Sequence, residues 1–297
     1  MSILSEKASR DQWIHYSDSI KTQKGRKTVL NLFDVWLKTK DTSEEQFFQE
    51  MIGTDESTKA RTIKTIQDSW LEDGKGNRTV AHYRGILLQW FLENDLVIQQ
   101  NKLKNLAKLP KIHTDLRYTP DKEDIRKIIM DQKDHDVATF YLCLVNTGMR
   151  DGELISTKIS EIDFAGRSIR LASARTKTRT ERLVFFTDEC RVYLRKQTRK
   201  RNPDELIFKY HINNYEYHLR RTCKKIGLDE TYPNGFHKMV MHRFRAYTKQ
   251  ALSSVSNAYG DVILGHIGGL SSYDISNPRK MLEDYDTCRE KLIFINT

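Results

Sequence analysis

The sequence predicts a mainly α-helical chain of two domains: an N-terminal helical bundle, then an α+β unit with a small β-hairpin or sheet. Three observations carry this. The first 109 residues contain no proline, hold all four tryptophans (Trp13, Trp36, Trp70 and Trp90) and repeat apolar residues at helical spacing. Two strand-like runs, 168–172 and 182–186, flank a polar turn in the second half. Between the halves lies a lysine-rich, weakly periodic stretch.

In the first domain, residues 1–112, Val29, Leu30, Leu32, Phe33, Val35, Trp36 and Leu37 form one helical face plus flanks. Residues 54–75 read as a helix with a polar surface. Gly74-Lys75-Gly76-Asn77 breaks it, and Thr79 is placed to cap the next helix, which carries Tyr83, Ile86, Leu87, Trp90, Phe91 and Leu92. The pattern gives four or five helices, with the tryptophans as core rather than as a ligand cage.

Residues 100–118 read as a linker region whose final segment, 113–118, joins the domains. Its lysines Lys102, Lys104, Lys108 and Lys111 are suited to a DNA backbone or to a solvated tether. The second domain, 119–297, opens with Thr119 as cap, Pro120 at the first helical position and acids in the first turn. Helices are expected over 121–132, 137–146, 188–199 after the cap Thr187, 213–225, 236–252, 258–264 and 278–292. A short strand is expected at 206–208.

Hydrophobic residues are 38% and charged residues 30% of the chain, which supports a packed core rather than disorder. The formal net charge of +10 fits a polyanionic partner, although a merely basic soluble protein has the same balance. No apolar run reaches the ~20 residues of a membrane span, and residues 1–10 lack a signal-like apolar core, so a cytoplasmic protein without a membrane partner is expected. Cys143, Cys190, Cys223 and Cys288 are too scattered to indicate a zinc cluster or a disulfide framework. Cys143, in an apolar run, reads as a packed thiol.

The chemistry-bearing residues are an ordered basic set that ends in a tyrosine. Arg150 stands in Thr147-Gly148-Met149-Arg150-Asp151-Gly152-Glu153-Leu154, after an apolar helix and a glycine turn, where backbone N–H groups also attract anions. Glu153 is placed to hold its guanidinium, and a surface ion pair at helical spacing reads equally well. Lys177 lies between the two strand candidates, with Arg175 and Arg179 as rivals or as backbone-phosphate contacts. His242 and Arg245, three apart, share a helix face. His266 follows Leu264-Gly265, a helix C-terminus pattern. Tyr273 follows Gly268-Gly269-Leu270-Ser271-Ser272, and Tyr285, among acids, is the rival hydroxyl. Two arginines, a lysine and two histidines around one phosphate would meet the charge that develops during phosphoryl transfer, and a tyrosine would supply the nucleophile. No carboxylate or cysteine joins the histidines at ligand spacing, so neither a metal nor another cofactor is expected.

This order of motifs resembles the tyrosine recombinase (phage integrase) family. The set is Arg in a Thr-Gly-x-Arg-x-x-Glu-Leu box, Lys in a β-hairpin, His-x-x-Arg, Leu-Gly-His and a late Tyr, over about residues 119–292. The resemblance implies an N-terminal core-binding domain and a recombinase that works on specific double-stranded DNA sites. It implies Arg150 and Arg245 as phosphate clamps, Lys177 as general acid, His242 and His266 as the two histidines, and Tyr273 forming a 3′-phosphotyrosyl link. It further implies no metal or ATP requirement, and a tetramer on DNA. Tyr273 follows His266 more closely than the family usually has it, and the Thr-Gln-x-Tyr-Thr-His wording is absent. The segment looks more like integrases of archaeal or mobile elements. A non-catalytic DNA-binding relative and a type IB topoisomerase-like relaxing enzyme are the other readings of the same residues.

Overall fold

The computed structural model describes residues 8–17, 19–109, 111, 118–176, 179–233, 235–266 and 276–295. The chain divides into two compact units, Met1–Thr114 and Asp115–Thr297.

The first unit is helical throughout: α1 (Arg10–His15), α2 (Ile20–Thr39), α3 (Glu44–Ile52), α4 (Glu56–Glu72), α5 (Asn77–Glu93) and α6 (Gln100–Leu106). Ser9 and Ser43 start α1 and α3 in reciprocal capping boxes with Gln12 and Gln46, and Asp55 caps α4. All four tryptophans are buried, as their spacing implied. Phe33 meets Phe47 edge-on at 5.2 Å and Phe91 at 5.3 Å, and Trp13 meets Trp90 at 5.1 Å. Trp90 is buried yet satisfied, its indole N–H donating to Glu44 at 2.5 Å.

Two expectations are corrected here. The lysine-rich stretch is not a linker from residue 100: residues 100–106 form α6, which packs on α4 and buries Leu103 and Ala107. Arg84 closes that end by donating to the Ala107 carbonyl at 2.7 Å. Gly76, not Thr79, is the cap of α5, because the helix begins a turn earlier, at Asn77.

The second unit is built on α8 (His135–Thr147), buried along nearly its whole length. Around it pack α7 (Lys122–Met130), α10 (Asp188–Thr198), α11 (Ile212–Ile226) and α12 (His242–Leu252). The short α9 (Asp151–Ile155) follows α8. A three-stranded antiparallel sheet, β1 (Ile162–Asp163), β2 (Ser168–Leu171) and β3 (Arg182–Phe185), pairs Leu171 with Arg182 and Ser168 with Phe185. The two predicted strands are present; β1, two residues long, carried no sequence signal. Then come α13 (Asn257–Leu264), α14 (Pro278–Thr287) and a 3₁₀ turn, Arg289–Leu292.

Four boundaries differ from expectation. Asp121 caps α7, not Thr119, because an Asp121–Asp124 capping box satisfies both orphan N–H groups. The predicted strand at 206–208 is a lone bridge from Leu206 to Lys158. Residues 236–241 are not helical: His237 bridges to Thr231, and α12 begins at His242. The last helix stops at Thr287 rather than continuing to 292.

The C-terminal segment is tied inward. Asn146 donates to the Leu292 carbonyl at 3.2 Å and accepts from Thr187 N–H at 2.9 Å, and Tyr285 donates to the Asn146 carbonyl at 3.1 Å. The Glu189 carboxylate accepts the backbone N–H groups of Phe294 (2.9 Å) and Ile295 (2.8 Å).

Candidate active site

The site is assembled where α8, α9, α12, α13 and β3 approach one another. Gly148 ends α8 in the left-handed region, φ +61°. A Cβ there would lie 3.1 Å from Thr248 and 3.2 Å from Leu264, so any other side chain would be crowded as well as strained at this positive φ. That turn delivers Arg150 as the N-cap of α9. Glu153, one turn on and 5% exposed, accepts from Arg150 twice at 2.8 Å, from the backbone N–H and from Nη1. The Arg150–Glu153 pair expected from the sequence therefore exists, with the carboxylate buried and the guanidinium half-buried.

Glu153 also holds Arg182, a residue that sequence reasoning used only as a strand start. Arg182 donates through Nη2 to Glu153 Oε2 and through Nη1 to Oε1 at 3.3 Å, with both side chains about 95% buried. Burial alone would raise the Glu153 pKa, but Arg182 and the Arg150 N–H outweigh it and hold it below the ordinary carboxylate range.

Arg245 projects from the first turn of α12 and is 3% exposed. Its two Nη groups donate to the carbonyls of Gly148 and Leu264, which end α8 and α13. These bonds fix the guanidinium plane and leave donors for an oxyanion, since an arginine carries five. Burial, reinforced by repulsion from Arg150 and Arg182, pushes its pKa down to about 10. It remains a cation near neutral pH, held where an anion would relieve it.

Gly265 caps α13 in the left-handed region, φ +70°, and turns the chain back so that His266 faces both Asp261 and Arg245. His266 Nδ1 lies 2.9 Å from Asp261 Oδ1, and His266 Nε2 lies 3.5 Å from Arg245 Nη2. Lys249 reaches the same Asp261 oxygen at 2.7 Å. The hydrogen bonds from Lys249 and then His266 keep the Asp261 pKa low. Asp261 was missed by sequence reasoning, although a single acid in the apolar run 258–264 was a usable signal. His242 opens α12, exposed, one turn before Arg245.

Lys177 and Tyr273 lie outside the described residues. The rival Tyr285 is fully buried, with its hydroxyl on Asn146, and burial pushes its pKa well above the ordinary value. A phosphate could not reach it in this fold. Arg175, expected on DNA, turns inward instead: it pairs with Glu161 and donates to the Glu153 carbonyl and Thr157 Oγ1, both at 3.0 Å. Both of its Nη groups are engaged by protein partners, while its Nε has none among the described residues. Arg179 is exposed, with φ +53°. Lys102 sits on α6 within 3.4 Å of Ser57 Oγ, and Lys104, Lys108 and Lys111 are exposed. Among the described residues, no three His, Cys, Asp or Glu side chains gather as a metal site, and no helix is long and apolar enough to cross a membrane.

The site thus joins one arginine, Arg245, set on the carbonyls that end two helices, to a buried carboxylate, Glu153, shared by Arg150 and Arg182. Residues 120–266, just under half of the chain, match the phage integrase family. It is 31% identical over 121 residues to the tyrosine recombinase XerA of Saccharolobus solfataricus; the match spans 41% of each chain, about two fifths of that relative's length. The fold is similar to that of the Tn1549 transposon integrase in complex with a circular intermediate DNA. There the TM-score is 0.58 at 16% identity, over 89% of this chain and 98% of that one. It is also similar to a lambda integrase dimer bound to a COC′ core site, with TM-score 0.55 at 13% identity, over 84% and 98%. A lambda integrase tetramer bound to a Holliday junction gives a TM-score of 0.54 at 15% identity, over 88% and 85%.

Proposed function

We propose that this protein is a site-specific DNA recombinase that cleaves and rejoins strands through a 3′-phosphotyrosyl intermediate, without metal or ATP. The observation that carries the reading is the charge balance of the site. Three guanidiniums (Arg150, Arg182 and Arg245) stand around one buried carboxylate, Glu153, and the surplus positive charge calls for an anion such as a phosphodiester.

On this reading Arg150 and Arg245 bind the non-bridging oxygens as negative charge develops on them. Tyr273 Oη attacks phosphorus. The bond to the 5′-oxygen breaks, and that oxygen takes a proton from Lys177. His266, oriented by Asp261, and His242 donate hydrogen bonds or shuttle the tyrosine proton. In the return step the 5′-hydroxyl of a partner strand attacks the phosphotyrosyl phosphorus and releases Tyr273. The phosphodiester energy is conserved, so no nucleotide is consumed. Self-association into a tetramer on two duplexes with specific recombination sites, with the first unit and the lysines at 102–111 along the backbone, completes the proposal.

A nicked suicide duplex tests it. The wild type should trap DNA on the peptide containing Tyr273, and Tyr273→Phe should trap none. An adduct on another tyrosine would overturn the nucleophile assignment. No adduct on any duplex from the source genome would overturn the enzymatic reading.

A further inference from the structure

The chemistry proposed above gives no task to Arg182, yet two of the elements it uses meet at that residue, which opens β3. Its guanidinium shares the Glu153 carboxylate with Arg150. Its flat face lies on the backbone of Gly265: a Cβ at that glycine would come within 2.6 Å of Arg182 Nη1, 3.2 Å of Cδ and 3.3 Å of Cζ. Gly265 is the turn that presents His266.

Stability alone is a poor reason for this arginine. On the strand it shares its inward face with Val184, opposite Leu171, where an apolar side chain would pack without desolvating a charge. Its Nε, moreover, is buried without a partner among the described residues, a cost that an apolar residue would not carry. Burial lowers the Arg182 pKa, and Glu153 opposes that shift.

We propose that Arg182 is a positioning residue for strand cleavage: through Glu153 it fixes the guanidinium of Arg150, and through Gly265 it fixes the turn that holds His266. The proposal rests on the strand-cleaving reading above. Arg182 does not touch DNA; it holds two groups that do. Losing the fork should let both drift, and a misplacement of about 1 Å in such groups costs on the order of 10²-fold in rate.

The test uses the full chain and a nicked duplex on which the wild type forms its covalent adduct. It measures single-turnover cleavage, noncovalent affinity for the intact duplex, and melting temperature. Arg182→Met should cleave about 10²-fold more slowly, with affinity within about threefold of wild type. Arg182→Lys, which keeps the charge and loses the fork, should recover only part of the rate. Two results would overturn the proposal: cleavage by Arg182→Met within about threefold of wild type, or a rate loss matched by equal losses of affinity and melting temperature. The double variant Arg182→Met/Glu153→Gln guards against simple misfolding by removing the stranded carboxylate. It should stay slow, and wild-type cleavage by it would mean that Arg182 only neutralises Glu153. A wild type that forms no adduct sinks the strand-cleaving reading itself, a result separable from a wild type that cleaves alongside an equally fast Arg182→Met.

Discussion

The cores of the two units are made of different material. In the first, Gln67 is the one polar residue among the described residues that reaches full burial, and the rest is aliphatic and aromatic. In the second, Asp136, Asn146, Glu153, Arg167, Arg182, Glu189 and Arg245 are all buried. A buried charge is expensive to desolvate and is seldom the cheapest route to stability. The first core is therefore organised by area removed from water, and the second also by where its charges must stand. Five buried polar residues of the second unit (Asn146, Glu153, Arg182, Glu189 and Arg245) gather near one surface turn or tie the C-terminal segment down.

This contrast can be broken or sharpened by substitution. The largest effect is expected at Arg245. Arg245→Met should slow covalent-adduct formation about 10³-fold, equivalent to about 4 kcal/mol at the transition state, and leave the unfolding of the first unit unchanged. A loss below tenfold, measured by single-turnover kinetics, would contradict the clamp role. In the first unit, Phe33→Ala removes a fully buried ring at the centre of the aromatic cluster and should destabilise that unit by about 3–5 kcal/mol. Urea titration followed by tryptophan fluorescence reads this directly, because all four tryptophans lie there. If the second unit lost the same stability, the two cores would not be separable.

Gly148→Ala probes the seam between packing and chemistry. It forces a side chain into positive φ against Thr248 and Leu264, and about 1–3 kcal/mol should be lost from the second unit in thermal denaturation. Acid should discriminate more gently. The folded pKa of Glu153 lies below its ordinary 4.5, so its stabilisation is complete above that pH and is lost as pH falls through the depressed value. Glu153→Gln should flatten the acid limb of the second unit's stability curve, and an unchanged limb would show that other carboxylates dominate. The smallest effect is expected from Lys104, Lys108 and Lys111. Changing each to Ala should lower the slope of log affinity against log salt by about 0.9 for every phosphate no longer neutralised, and an unchanged slope would leave them as solvated surface.

The helical bundle was legible because its information is local: apolar spacing and tryptophans act within a few residues. The basic set was legible for another reason, since its order along the chain survives although its geometry is not written there. Arg182–Glu153 was not legible as a pair because the two stand 29 residues apart and meet only after β3 packs beside α9. A hint existed, since strand alternation puts Arg182 on the same face as Val184, and a charge on an inward face demands a partner. Asp261–His266 escaped because a five-residue spacing is off the helical ladder; the left-handed Gly265 creates the contact. The start of α12 was misread because the mostly apolar residues 236–241 look helical, whereas a tight antiparallel bridge from His237 to Thr231, six residues back, takes them out.

The clasp at Asn146 and Glu189 bears on how this chain can be cut or extended. Residues 292–295 are not a tail to be trimmed for convenience. Ending the chain after Thr287 would take the Leu292 carbonyl from Asn146 and two backbone N–H donors from Glu189, which are 0% and 6% exposed, the former four residues from Arg150. Such a shortening acts as a double core mutation, and an inactive truncated protein would say nothing about what the missing residues contact. A fusion placed beyond residue 295 hangs from a clamped point and leaves those partners in place.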